Sequence, residues 1–161
     1  MPKKLLLPVL LLIMSSCLRN VDDEIVDCAL FDPAIPIITI TYVDADGNNL
    51  IRNETFNADD IEILRADGSV GGGVILPRMD EEMPENNPFN YTLWIALPRS
   101  ETETYRIQLT DMVTDELQFT AQRQNLPCGL SYFIPISGTY NGTDITIVED
   151  TIDFRIRIVV E

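Results

Sequence analysis

Apolar and polar residues alternate along most of the chain after residue 37, with the repeat of two that is typical of β-strands. Near the end of the chain, Phe154 and Ile156 alternate with Asp153, Arg155 and Arg157. We expect the apolar set to face a core and the charged set to face solvent, where the arginines can pair with acids. The same alternation predicts strands at residues 38–43, 61–66, 74–76, 91–97, 105–110, 117–122, 132–136, 145–148 and 152–160.

Turn-forming residues separate these predicted strands. Asp46-Gly47 predicts a turn, and Asn141-Gly142 favours a two-residue type I′ hairpin, because both positions of that turn need a positive φ. After the start of the chain, the one helical feature that we expect is a single turn near residues 57–62. About eight strands at regular spacing predict an all-β, antiparallel sandwich. An up-and-down barrel is the alternative, but the uneven loop lengths favour the sandwich.

The first sixteen residues have the pattern of a secretory signal peptide. Lys3 and Lys4 precede an apolar run over residues 5–14, which is shorter than the roughly 20 residues that span a bilayer. The ending Met14-Ser15-Ser16-Cys17 resembles the lipobox of bacterial lipoproteins. This resemblance implies cleavage before Cys17 and attachment of a diacylglycerol to its sulfur. Ordinary secretion and an uncleaved anchor are the alternatives.

The chain divides, on this interpretation, into three parts. Residues 1–16 are the signal peptide, residues 17–32 are the lipidated cysteine with a tether, and residues 33–161 are the β-sandwich domain. The tether contains the acidic cluster of residues 22–24. That cluster resembles the acidic export signals that direct lipoproteins of the Bacteroidota to the outer face of the outer membrane. A solvated linker is the alternative interpretation.

The charge of the chain limits its partners. The formal net charge is −15, and Lys3 and Lys4, the only lysines, both lie in the predicted signal peptide. An acidic domain without lysine is a poor ligand for polyanions, so we expect no binding of nucleic acid. An anionic membrane surface would also repel it, so we expect membrane contact to depend on the lipid anchor.

The chain has no histidine, and this excludes several kinds of site. A Ser-His-Asp or Cys-His catalytic group cannot form, and neither can a zinc site with histidine ligands. The acidic residues of the segment 80–85 lie in a predicted loop, where a solvated charge run is the simpler interpretation. We therefore predict no catalytic residue, no metal site and no cofactor, and we do not expect an enzyme.

Two cysteines remain after Cys17. An even number of cysteines in an exported chain indicates a disulfide, so we expect Cys28 and Cys128 to be bonded. The bond would close a loop of about 100 residues, for which the chain-entropy model gives roughly 4–5 kcal/mol as an upper figure. Two buried free thiols are the alternative.

The segment from Ile38 to Leu64 resembles the first hairpin of transthyretin-like, carboxypeptidase-regulatory-type sandwich domains. In that family a strand enters a turn of the form Asp-x-x-Gly-x-x-Leu, and a second strand follows. The matching residues here are Val43, Asp44, Gly47, Leu50, Ile61 and Ile63. The order of lipobox, acidic tether and Ig-like sandwich is also similar to small surface lipoproteins of the Bacteroidota. These resemblances imply a fold and a location at the cell envelope, and no reaction.

Two further residues are candidates for a site. Trp94 lies between the predicted inward-facing residues Leu93 and Ile95, so we expect it to face outward as a stacking surface for a sugar ring or a protein partner. Coverage of Trp94 by the preceding acidic loop is the alternative. Asp150-Thr151-Ile152 resembles the short O-glycosylation site of exported Bacteroidota proteins, which implies a glycan on Thr151; a chance match is the alternative.

These observations predict a membrane-anchored lipoprotein that acts as a non-enzymatic binding or structural module at the cell envelope. Sandwiches carry variable loops at their ends, which suits binding to a protein or a glycan. The alternative function is an accessory subunit of an outer-membrane assembly, joined through an exposed strand edge.

Overall fold

The computed structural model describes residues 26–77, 87–150 and 153–160. Contacts divide the chain into two compact units, Met1–Phe31 and Asp32–Glu161, and the second unit contains every strand of the described residues. Those residues contain ten strands, where the sequence predicts about eight. The strands are β1 Ile37–Val43, β2 Glu62–Arg65, β3 Gly72–Ile75, β4 Thr92–Ile95, β5 Thr102–Thr110, β6 Val113–Asn125, β7 Ser131–Tyr140, β8 Thr143–Asp144, β9 Ile147–Asp150 and β10 Asp153–Val159. Two short 3₁₀ turns, Ala58–Asp60 and Pro127–Gly129, connect them, and the first lies where the single turn was predicted.

The ten strands form two five-stranded sheets, and this confirms the predicted all-β sandwich. Sheet 1 has the order β3-β4-β1-β10-β9, and sheet 2 has the order β2-β5-β6-β7-β8. Most neighbours are antiparallel, but β1 and β10 pair in parallel, with Ile38 opposite Phe154. The predicted antiparallel sandwich therefore contains one parallel pair, β1 with β10. Since β1 and β10 lie far apart in sequence, no hairpin turn fixes their relative direction.

Strands β1 and β2 do not form the hairpin that the resemblance to transthyretin-like domains implies. They belong to different sheets, and the connection between them contributes side chains to the core. Leu50, Ile51 and Phe56 of this connection are buried, and the backbone N–H of Leu50 donates to the carbonyl oxygen of Tyr42 at 3.0 Å. The sequence predicts the segment only as a loop, because its apolar residues have no regular period.

The inner faces of the two sheets supply the core, as the alternation predicts. Ile38, Leu93 and Ile107 are fully buried, and Tyr105 packs edge-on against Phe119 with ring centroids 5.9 Å apart. Burial of such side chains removes apolar surface from water and contributes roughly 1.5–3 kcal/mol each. The other buried apolar residues of the strands are Ile40, Tyr42, Val43, Ile63, Ile95, Leu109, Leu117, Ala121, Phe154, Ile156 and Ile158.

The turn at Asn141-Gly142 has the predicted type I′ conformation. Asn141 has φ +51° and Gly142 has φ +77°, and Tyr140 pairs with Thr143 across the turn. The chain then leaves sheet 2 after two residues of β8 and joins sheet 1 as β9. The predicted single strand at residues 145–148 is therefore wrong, because the chain changes sheets there and only its second half pairs with β10.

One arginine is buried beside the core. Arg65 at the end of β2 is 4% exposed and forms an ion pair with Glu103 of β5. Its guanidinium also donates to the carbonyl oxygen of Leu97 at 3.1 Å and lies over the ring of Tyr105 at 5.2 Å. Because a buried charge is stable only when it is paired and hydrogen-bonded, these contacts explain how sheet 2 retains an arginine there.

Candidate functional site

The outer face of sheet 1 carries Trp94, the residue that the sequence selects as a binding platform. The inward-facing neighbours Leu93 and Ile95 are fully buried, whereas Trp94 is 38% exposed. Its outward orientation is therefore confirmed. Trp94 lies opposite Gly73 of β3 on one side and Thr39 of β1 on the other.

Gly73 provides the space in which the indole of Trp94 lies. A Cβ atom at Gly73 would come within 2.9 Å of the indole Nε1, which is closer than side chains normally approach. The indole therefore rests against strand β3 and leaves part of its surface open to solvent. A glycine opposite an aromatic residue is also a way to stabilise a sheet, so this pairing serves the fold as well as a platform.

Arg155 lies in the same row of the sheet, opposite Thr39. Its Nε donates to a carboxylate oxygen of Asp153 at 2.8 Å, and its Nη2 lies 3.0 Å from a carboxylate oxygen of Asp150. The hydrogen bond to Asp153, together with the charges of both acids, raises the pKa of the Arg155 guanidinium. Its guanidinium also lies over the ring of Phe89, 5.4 Å from the centroid, so Arg155 is held on three sides.

Asp153 differs from the prediction. The alternation places it on a solvent-facing side, yet it is only 2% exposed. It does lie on the outer face of the sheet, where it forms an ion pair with Arg155. The pairing of Arg155 with nearby acids is as predicted, and one of those acids, Asp153, is buried.

Arg157 lies two residues further along β10, opposite Thr41, and it is exposed. Among the described residues it forms no ion pair. It lines an open cavity of about 540 Å³ on the outer face of sheet 1. Thr41, Thr146, Pro88 and Val148 contribute hydroxyl groups and apolar walls to the same cavity. The sequence does not predict this cavity, because it is formed by strands and loops that lie far apart along the chain.

The outer face of sheet 2 has a different character. Its central strands β5 and β6 present partly or fully exposed polar side chains: Thr104, Arg106, Gln108, Glu116, Gln118, Thr120 and Gln122. This is the composition of an ordinary solvated sheet face. The two outer faces therefore differ: among the residues that the structure describes, the exposed indole of Trp94, the side chains of Arg155 and Arg157 and a cavity of about 540 Å³ lie together on the face of sheet 1.

A second cavity of about 540 Å³ lies at the end of the core near Tyr91. Tyr91 and Glu54 line it, and their φ angles of +59° and +63° are rare for residues other than glycine. The backbone N–H of Tyr91 donates to Ile75 at 2.8 Å, and its carbonyl oxygen accepts from the amide of Asn49 at 3.0 Å. Because these bonds hold the strained backbone and the side chain of Arg52 already lies 5.9 Å over the ring, we assign no ligand here.

Several predicted features lie outside the described residues. They are Cys17 with the signal peptide and the acidic cluster 22–24, the acidic segment 80–85, and Thr151. Across the described ranges, no group of three acidic, histidine or cysteine side chains is arranged to hold a metal ion. A search of the same residues for membrane-spanning helices finds none that is sufficiently long and apolar.

The predicted disulfide between Cys28 and Cys128 is present. Cys128 has φ +64°, a conformation that residues other than glycine rarely adopt. Comparison of the chain with protein-family models, with curated proteins and with solved structures finds no match.

Proposed function

We propose that the protein is a lipoprotein of the outer membrane, tethered through Cys17, which acts as a non-enzymatic binding module at the cell envelope. The observation that carries the binding part of this proposal is the difference between the two outer faces of the sandwich. Sheet 2 presents an ordinary polar face, whereas sheet 1 presents Trp94, Arg155, Arg157 and a cavity of about 540 Å³. Exposed tryptophan and arginine are the residues most often found at the centres of binding interfaces.

The tether rests on the sequence of residues 14–17, which resembles a lipobox. A short apolar h-region after two lysines, followed by small residues and a cysteine, supports processing as a lipoprotein. Two or more acyl chains give stable anchoring, because each buried CH₂ group adds about 0.8 kcal/mol. The net charge of the chain is −15, so anionic lipids repel it and electrostatic attraction cannot replace the acyl anchor.

The tether is tested by acyl labelling in a bacterium that processes lipoproteins. Wild-type protein should incorporate a labelled fatty acid and fractionate with the outer membrane. The variant Cys17→Ser should lose the label and accumulate in the uncleaved form or be released. Cys28→Ser is the matched control and should still be labelled. Equal labelling of Cys17→Ser and wild type would contradict the tether.

The binding role is tested by capture of partners on intact cells. Cells that display the wild-type protein should retain a glycan or protein that cells with Trp94→Ala retain less well. Gln118→Ala, on the polar outer face of sheet 2, is the control and should behave as wild type. If Gln118→Ala reduces capture and Trp94→Ala does not, the partner binds the outer face of sheet 2 and the proposed binding face is wrong.

The second candidate function is an accessory subunit that joins an outer-membrane assembly by strand addition. Its support is the edge of β7. Strand β8 pairs only with Thr139 and Tyr140, so within the described residues the earlier part of β7 pairs with β6 alone. Pro135 lies in that part of β7, and proline is typical of edges that natural sheets protect from further pairing. The edge of β7 is therefore weaker support for strand addition than the outer face of sheet 1 is for the binding module.

A further inference from the structure

We infer that the cavity beside Arg157 binds the carboxylate of an acidic saccharide of the uronic- or sialic-acid type. This inference rests on the proposed binding function and names the ligand class for one site on the same face. It is argued from the charge of Arg157, the chemistry of the cavity wall and the net charge of the chain.

Within the described part of this strongly acidic protein, Arg157 is a cation that forms no ion pair. Three other described arginines form ion pairs: Arg65 with Glu103, Arg99 with Asp67, and Arg155 with Asp150 and Asp153. Arg52, Arg106 and Arg123, like Arg157, form no ion pair within the described residues, but they lie outside this cavity. Arg157 lines a cavity and, among the described residues, has no acid within ion-pair distance. A guanidinium with free donors favours a planar carboxylate, because it can give two parallel hydrogen bonds to its two oxygens.

The charge of the site favours a ligand with one negative charge at this position. Arg155 borders the same cavity, but its charge is offset by two carboxylates. Arg157 therefore supplies the remaining positive charge. The net charge of −15 also repels long polyanions such as nucleic acids, whereas a short acidic saccharide carries only a few charges and meets much less repulsion.

The rest of the cavity wall suits a pyranose ring. The side-chain hydroxyls of Thr41 and Thr146 are not engaged by another described residue and can exchange hydrogen bonds with sugar hydroxyls. Pro88 and Val148 provide apolar surface for the C–H face of a ring. The cavity is open and has about 540 Å³, which is within the usual range for small-molecule sites. Trp94 lies on the same outer face and offers a stacking surface to a longer saccharide.

The experiment is a calorimetric titration of the full-length protein in detergent micelles with trigalacturonate as the probe. Wild type should bind trigalacturonate and should not bind the neutral maltotriose measurably. Arg157→Gln should weaken binding by roughly 10- to 100-fold, which is the loss expected for hydrogen bonds to a charged group. Raising NaCl from about 50 mM to about 500 mM should weaken wild-type binding, since the site is partly exposed and its charge is screened.

Arg106→Gln is the matched control, because it removes an exposed arginine of β5 from the other outer face. It should bind trigalacturonate as wild type does. Equal weakening by Arg106→Gln and Arg157→Gln, or no binding of trigalacturonate by wild type, would overturn the inference. Binding of triglutamate as tight as that of trigalacturonate would also overturn it, because the site would then recognise carboxylates in general and not an acidic saccharide.

Failure of this inference can be distinguished from failure of the proposed function. If intact cells still capture a partner through Trp94 while trigalacturonate does not bind, the saccharide assignment is wrong and the binding module stands. If Trp94→Ala leaves capture unchanged but Arg157→Gln weakens binding of trigalacturonate as expected, the saccharide site stands and the wider use of this face for partners is wrong.

Discussion

At the scale of single residues, neighbouring side chains of β10 differ in burial and in ion pairing. Phe154 is 5% exposed on the inner face, and Arg157 is exposed on the outer face. Arg155 is also on the outer face, but it forms an ion pair with the buried carboxylate of Asp153. Because a buried acid that loses its cation is left unpaired, Arg155 and Arg157 should contribute unequally to stability.

We expect Phe154→Ala to lower the free energy of unfolding by about 3–5 kcal/mol, through lost burial and a cavity in the core. Arg155→Ala should lower the midpoint of denaturant unfolding clearly, because it removes the partner of Asp153. Arg157→Ala is the control and should leave the midpoint nearly unchanged. Equal effects of the two arginine variants would mean that the ion pair with Asp153 does not stabilise the fold.

At the scale of an element, the β7–β8 hairpin depends on two residues with positive φ. Gly142 adopts φ +77° without a steric penalty, because it has no Cβ. Asn141 fits its position and adds hydrogen bonds: its Nδ2 donates to Asp115 at 2.7 Å, and its Oδ1 accepts from the backbone N–H of Glu116 at 2.8 Å. The turn is therefore also held by hydrogen bonds between Asn141 and the neighbouring strand β6.

We expect Gly142→Ala to lower the free energy of unfolding by about 1–2 kcal/mol, which is the cost of a left-handed backbone for a residue with a Cβ. Thr143→Ala is the control, since Thr143 is exposed and adjacent, and it should change stability by less than about 0.5 kcal/mol. Thermal or denaturant melts of both variants measure the difference. An unchanged Gly142→Ala protein would indicate that the turn relaxes to another type.

At the scale of the whole molecule, the disulfide between Cys28 and Cys128 restricts the unfolded chain more than any local contact does. The bond closes a loop of about 100 residues, for which the chain-entropy model gives a stabilisation near the top of its range. The main effect is on the unfolded state, because an unfolded chain with this bond has fewer conformations.

We expect the double variant Cys28→Ser, Cys128→Ser to lose about 2–5 kcal/mol of unfolding free energy. Wild-type protein unfolded with a reductant present should lose a similar amount, whereas the double variant should be indifferent to the reductant. Non-reducing mass mapping of the native protein should find the two cysteine peptides joined. A wild-type midpoint that does not respond to reduction would contradict a stabilising bond.

The sequence by itself determined which side chains of most strands face the core. A period of two is a local property of an extended backbone, so the inward positions of Ile38, Tyr105 and Phe119 could be predicted from neighbouring residues alone. The type I′ turn at Asn141-Gly142 and the outward position of Trp94 could be predicted for the same reason. The disulfide could be predicted from the even number of cysteines that follow Cys17.

Only the tertiary structure decided which strands pair and which surfaces meet. The parallel pair of β1 and β10, the change of sheet after β8 and the burial of Asp153 all depend on residues far apart in sequence. The cavity beside Arg157 has the same origin, because Thr41, Pro88 and Thr146 come together only when sheet 1 is assembled. Local periodicity specifies which face of a strand is buried, but packing of the whole sheet decides which strands are neighbours. The candidate site depends on that pairing, because its residues come from different strands and loops.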